Sequence, residues 1–333
     1  MSRVSPESFR PRARALPHLA GDVEVVDVLE SRRRESSRPC ARDDPHRVAL
    51  VVEGGGMRGA YVGGMIAALN DHGLRDSFDE VYAVSSGAFS AAGLVLESTE
   101  HAIRVYADDL ARSAFLSWRR FASRRGPLVS LDLLVDEVLE RRGFRWSALT
   151  DASIPLQAVA TPLDTMRAEA LGGFATVEDW KLALRASATI PVLAGPPVRL
   201  RGRDFVDGFV GDALPIARAI ASGATHVLAL IARAPGELPR AAGKQHPVVR
   251  RRLDQLAPGL GEVMSARGTS YADSLALVTD PAHRHRGSAR VLGVRAAWNA
   301  GVGALTTDST RLWGAGGAGR AAIDMMLRVP PPR

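Results

Sequence analysis

The chain has 333 residues, 46% of them apolar and 24% charged, a balance that supplies a large buried core and excludes a disordered protein. One cysteine, Cys40, excludes an internal disulfide and a cysteine-rich zinc site. The net charge of +7 comes almost wholly from arginine, Lys181 and Lys244 being the only lysines, and favours anionic partners. With 5% aromatics and no helix-turn-helix or RNP-like pattern, nucleic acid is the weaker partner class. The longest uncharged stretch, Val81 to Leu96, holds three serines and is too short and polar for a membrane span. The start, with Arg3, Glu7, Arg10, Arg12 and Arg14, lacks the apolar core of a secretory signal. A soluble, cytoplasmic protein without a cleaved leader is expected.

In chain order, residues 1–46 mix prolines, arginines and acids, with a helical apolar pattern only over Val23–Arg34, and predict a flexible N-terminal arm carrying a short helix. Residues 47–330 are expected to form one domain. Val48–Val52 is a short apolar run ending in Gly54-Gly55-Gly56, followed by a helical stretch from Met57 to Asn70. Val81–Val84 then predicts a second strand, Ser85 stands at its end, and a small-residue helix runs from Ser86 to about Glu97. Ile154–Ala160, Thr165–Leu171, Val227–Ile231 and Arg290–Val294 predict further strands. Thr176 with Asp179 three residues on resembles a capping box, and Pro191 stops that helix after Ala188. Leu214–Ala221 and Ser309–Leu327 predict helices, while Pro235–Arg252 is polar and basic and predicts a surface excursion. Buried apolar runs alternating with helices indicate an α/β fold with a mostly parallel sheet covered by helices.

Gly54-Gly55-Gly56-Met57-Arg58-Gly59 formally matches the dinucleotide fingerprint after a strand. That fold wants an acid at the end of the second strand, and here the strand ends in Val84-Ser85-Ser86-Gly87; the lysine and hydroxyl of a P-loop are missing too. Ala83-Val84-Ser85-Ser86-Gly87 instead matches a nucleophile elbow whose first glycine is alanine, a turn that lifts the serine hydroxyl out of the sheet. Ser-Ser-Gly is also a common helix N-cap, so the elbow gains weight from the glycine turn 31 residues upstream, which can point free N–H groups at an oxyanion.

These blocks resemble the patatin-like phospholipase family of bacterial type: G-G-G-x-R-G as Gly54 to Gly59, the elbow as Ala83 to Gly87, and a D-G-G/A block as Asp207-Gly208-Phe209. Ala186-Ser187-Ala188-Thr189-Ile190-Pro191 also looks like the segment before the family's aspartate, and the likeness runs from about Arg47 to Ile231. The resemblance implies a three-layer α/β/α fold, a catalytic dyad of Ser85 and Asp207, and an oxyanion hole at the glycine turn (Gly54, Gly55, Gly56, Arg58, Gly59), with Gly55 and Gly56 as donors. Ala83, Ser86, Gly87 and Gly208 would support these groups. Arg58 is either a positioning charge or a solvated arginine at a helix start. The resemblance also implies a phospholipid or lysophospholipid substrate, with no metal or nucleotide cofactor. Two positions depart from the pattern, Ala83 and Phe209; Phe209 narrows an acyl pocket if it leans toward Ser85 and does nothing if it faces the core.

A rival Ser-His-Asp esterase would draw its histidine from His226, His246, His283 or His285, none of which has the expected loop setting. A catalytically silent lipid-binding protein would keep the same fold without turnover, and an acyltransferase would need a histidine partner and an acceptor site. The arginines of Arg233–Arg252 and His283–Arg290 are either solvated loops or a surface for peripheral contact with anionic membrane.

Overall fold

The apolar runs become neighbours at the centre of one sheet. The computed structural model describes residues 18–99, 101–237, 246–280 and 289–328. Its strands are β1 (Leu19–Gly21), β2 (Val48–Val52), β3 (Glu80–Val84), β4 (Leu156–Pro162), β5 (Glu169–Leu171), β6 (Val198–Leu200), β7 (Arg203–Asp207), β8 (His226–Leu230) and β9 (Arg290–Val294). They lie in the order β1-β9-β8-β2-β3-β4-β7-β6, with β5 also on β4. The five central strands, β9 to β4, are parallel, while β1, β5, β6 and β7 add antiparallel pairs at the flanks.

Alternation along β2 shows why the sheet is covered on both faces. Val48, Leu50 and Val52 enter one apolar cluster, and Ala49 and Val51 enter the other. The first face packs against α1 (Glu24–Arg34), α2 (Gly59–Asp71) and α3 (Ser86–Val95). Short helices follow at α4 (Ala102–Arg104), α5 (Trp118–Ala122) and α6 (Leu139–Arg141), then α7 (Val177–Ala188). The second face takes α8 (Ile216–Ala221) and α10 (Leu260–Thr279), α10 following α9 (Pro247–Leu256). The last helix, α11 (Ser309–Met326), returns to α2, where Gly64 and Gly319 let the two backbones touch. This is the three-layer α/β/α arrangement.

Three expectations are corrected. Residues 18–46 are not a loose arm: β1 extends the sheet, and α1 buries Val25, Leu29 and Arg32. The prolines obscured this, since three residues of edge strand carry no readable period; residues 1–17 lie outside the described residues. Thr165–Leu171 is a strand only over Glu169–Leu171, because Met166 adopts a positive φ of 54° and closes a turn. Within Pro235–Arg252, the chain from Pro247 is helical, started by a proline that needs no N–H partner.

Arg32 ties the N-terminal segment to the domain. Its buried guanidinium donates to both carboxylate oxygens of Asp44, to Asp79, and to the carbonyls of Ser77 and His46. Removing it leaves Asp44 without its cation and Asp79 with Arg42 alone. Arg32→Ala is expected to lower folding stability by about 3–5 kcal/mol, read from denaturant midpoints; a loss under about 1 kcal/mol would show that residues 18–46 are not integral.

Candidate active site

β4 fixes the site through its register. Val84 pairs with Val159, which puts Ser85 level with Ala160, and Asp207 pairs with Ala160 from the other side. Ser85 and Asp207 therefore end two strands flanking one small residue, and their side chains meet over it. Ser85 Oγ donates to Asp207 Oδ2 at 2.7 Å. Both residues are buried, Asp207 completely.

Ser85 turns the chain from β3 into α3 at φ 55° and ψ −131°, a strained conformation for a residue with a Cβ. Its N–H donates to Ser187 Oγ at 2.9 Å, and Ser187 in turn donates to Val159 O at 2.7 Å. Asp207 N–H donates to Thr189 O. The Ala186–Pro191 block thus holds both residues of the pair, and Ser187, to which the sequence assigns no role of its own, is the link. Burial pushes the Asp207 carboxyl up to about 7, against the hydrogen bonds from Phe209 N–H (3.0 Å) and Ser85.

The glycine positions are explained by close approach. A Cβ on Gly87 would sit 2.6 Å from Glu53 O, and one on Gly208 would sit 2.2 Å from Val159 O. Ala83 has room, its methyl buried in the sheet core beside β2, which is why alanine stands at that elbow position. Gly54 crosses the end of β3, where a Cβ would meet Val84 O at 2.5 Å. Gly56 adopts φ +59° and opens the 3-10 turn Gly56–Arg58 that runs into α2, leaving its N–H among the orphan amides of a helix start. Gly55 N–H donates to Ser86 Oγ at 3.0 Å, so Ser86 ties the glycine turn to the elbow. Gly59 does not line the cavity; a Cβ there would strike the Tyr106 hydroxyl at 2.2 Å, so its smallness serves packing. Arg58 lines the cavity and pairs with Glu237 at 3.0 Å, so it is not a solvated surface arginine.

The pair opens into a cavity of about 800 Å³. One side is apolar, walled by Phe89, Leu110, Phe115, Leu131, Leu134 and Leu193. No sequence pattern signals this wall, because residues 101–141 include two π-helical turns, Val105–Leu110 and Leu133–Val138, whose side chains do not repeat at 3.6 residues. Phe209 lines the cavity rather than turning wholly into the core. So do His101 and the buried Glu53, which burial pushes toward its neutral form and which accepts from Ala232 N–H at 2.7 Å.

His226 begins β8, at the end of the parallel strands remote from Ser85, and is held by Thr225 (2.9 Å) and edge-on by His46. His246 caps α9. His283 and His285 lie outside the described residues.

A hydroxyl bonded to a buried carboxylate can lose its proton to that carboxylate as it attacks an acyl carbon. Because the folded-state pKa of Asp207 is raised, ionisation costs stability: the folded protein holds the proton more tightly, and stability falls as pH rises from about 4 through about 7. Asp207→Asn is expected to be more stable than wild type at pH 8 by on the order of 2–4 kcal/mol, with the gap shrinking toward pH 4, checked by melts across that range. A pH-independent gap would contradict the raised carboxyl.

Residues 50–220 match the family model for patatin-like phospholipase. The uncharacterized protein YjjU of Escherichia coli (strain K12) is 28% identical over 200 residues, covering 58% of this chain and 54% of that protein, so the chain spans about half of that relative's length. Human GIVD cytosolic phospholipase A2 superposes on 95% of this chain and 68% of its own at 13% identity, with a TM-score of 0.47. The same enzyme with methyl gamma-linolenyl fluorophosphonate gives a TM-score of 0.39 at 13% identity, over 91% and 62% of the two chains.

Proposed function

The chain belongs to the patatin-like phospholipase family, and we propose that it is a serine acyl hydrolase cleaving carboxylic esters of phospholipids or lysophospholipids, with Ser85 as nucleophile and Asp207 as base. The observation that carries this is the 2.7 Å bond from Ser85 Oγ to a buried carboxylate beside an apolar cavity. Ser85 attacks the ester carbonyl while Asp207 takes the Oγ proton, and the same carboxyl then gives that proton to the departing alcohol. Water, losing its proton to Asp207, hydrolyses the acyl-Ser85 intermediate and restores the hydroxyl. The tetrahedral oxyanion is held by Gly56 N–H, with the start of α2 behind it, and by Gly55 N–H as it leaves the Ser86 hydroxyl. The acyl chain lies along Phe89, Leu110 and Leu131. Ser85→Ala and Asp207→Asn are each expected to lose about 1000-fold or more in kcat with the fold intact, since the two act as one unit, while His226→Ala keeps most of it. Assays on a phospholipid, a lysophospholipid and a short p-nitrophenyl ester check this. Substantial turnover by Ser85→Ala would contradict the nucleophile, and a folded wild type inert on every ester would point to a lipid-binding protein.

Substrate is met at a membrane surface through α9, where Arg250, Arg251 and Arg252 and the adjoining Val248 and Val249 are exposed. Arg233 belongs to the cavity instead, and Arg290 is paired with Asp22 and Glu24, so neither serves this surface. Among the described residues no helix is long and apolar enough to cross a membrane. Each exposed arginine is worth about 1 kcal/mol near an anionic leaflet. Changing all three to serine is expected to abolish the preference for anionic over neutral vesicles in low-salt sedimentation; binding indifferent to lipid charge, salt and the triple change would contradict docking.

A further inference from the structure

On the side of the cavity away from the apolar wall, three elements bring polar groups together that the dyad does not use. Arg233 follows β8, and Arg267 and Tyr271 stand one turn apart on α10, so they share a helix face; all three line the cavity that holds Ser85. Each arginine rests on an aromatic ring: Arg233 is 4.7 Å from the Tyr271 ring and Arg267 is 5.7 Å from the Phe209 ring. A guanidinium carries five N–H donors, and one held by its face keeps its edge for a planar or tetrahedral anion; Arg267 spends one donor on the Met264 carbonyl. Phe209 N–H bonds Asp207, so Arg267 is positioned one residue from the dyad.

Two donors of this group turn toward one buried carboxylate without a well-formed bond to it. The buried Nε of Arg233 and the buried Tyr271 hydroxyl have no hydrogen-bond partner of good geometry among the described residues. Glu53 is the acid that both face, 3.5 Å from Arg233 Nε and favoured in its ionised form by the Tyr271 hydroxyl, but its carboxylate takes its firm bond from Ala232 N–H. Burial also keeps Glu53 closer to neutral than a surface glutamate, which leaves more of the arginine charge for a ligand. Buried donors without acceptors cost stability unless a ligand supplies the acceptor. Two cations, an unsatisfied hydroxyl and an apolar wall in one cavity suit an amphiphile with a phosphodiester near its ester bond.

We propose that Arg233, Arg267 and Tyr271 form a subsite for the phosphodiester group of the lipid substrate, which makes the enzyme select phosphate-bearing acyl esters over neutral acylglycerols. The inference rests on the acyl hydrolase reading above and adds the group that substrate selection depends on. Charge-assisted bonds from stacked arginines to the phosphate oxygens orient the glycerol backbone, so that the ester carbonyl falls between Ser85 and Gly56 with its chain toward Leu110.

The test compares a lysophospholipid with a monoacylglycerol of the same acyl chain, both below their aggregation concentrations. Wild type, Tyr271→Phe and Arg267→Gln are measured for kcat/KM, and the same variants in a Ser85→Ala background are measured for binding by calorimetry. Tyr271→Phe removes only a hydroxyl, and the Glu53 it faces keeps its bond from Ala232 N–H and its contact with Arg233, so folding stays intact, whereas Arg233 is spared because its loss would strand Glu53. The ratio of lysophospholipid to monoacylglycerol kcat/KM is expected to fall about tenfold or more in each variant, with a matching loss of lysophospholipid binding in the Ser85→Ala background. A ratio that does not change, or equal losses on both substrates, overturns the subsite while leaving the hydrolase intact. Wild type inert on both substrates overturns the hydrolase reading, and the binding arm then still decides the subsite. Inorganic phosphate and glycerophosphocholine are added as competitors: weaker competition by inorganic phosphate is expected, and equal competition would make this a site for free phosphate instead.

Discussion

Everything in this site depends on one desolvated hydrogen bond, from the Ser85 hydroxyl to the Asp207 carboxylate. Two strand spacings of about 4.8 Å separate their backbones, and the side chains close that gap only because β4 places Ala160, with no more than a methyl, between them. The arrangement is costly in two ways. Ser85 is held at a φ that L-residues avoid, and Asp207 is held without water, where its charge is unfavourable. Ser187 and Thr189, fastening the two backbones to the same short segment, are what make those costs sustainable.

The same burial that destabilises the carboxylate gives it a useful basicity. An aspartate at its ordinary pKa is a weak base toward a serine hydroxyl, while one raised to about 7 is half ionised near neutrality and accepts a proton far more readily. The cavity then divides the remaining work by polarity. Its apolar wall, from Phe89 to Leu193, excludes water from one flank, and Arg58, Arg233 and Arg267 line the same cavity. Such a lining suits an amphiphilic molecule.

Most of what was legible in the sequence was local. The strand, glycine turn and helix around Gly54–Gly59, the elbow at Ser85 and the Thr176 cap are written in adjacent residues, because close backbone approach and capping each demand particular residue types at fixed spacing. The pairing of Ser85 with Asp207 was suggested by family likeness and not by spacing, since 122 residues separate them and only the register of β4 joins them. What stayed hidden was tertiary. Nothing near Arg233 distinguishes it from the surface arginines beyond it, yet it turns into the cavity against Tyr271, on a helix the pattern did not reveal. Gly59 read as part of the oxyanion turn because it sits in the motif, whereas its role is set by the distant Tyr106 ring. Residues 18–46 read as loose because their order comes from contacts distant in sequence: β1 on β9, the apolar face of α1, and Arg32 and Arg42 reaching Asp79.

Ser85 is expected to be a nucleophile activated by a carboxylate that titrates near neutrality. The rate of covalent labelling by a fluorophosphonate, followed by intact mass and mapped by peptide, tests it across a pH range of about 5 to 9. One adduct per chain on Ser85, with a rate that rises through an apparent pKa of about 7 and is lost in Asp207→Asn, is the result this account requires. An adduct elsewhere, or a Ser85 labelling rate that ignores both pH and Asp207, would contradict it.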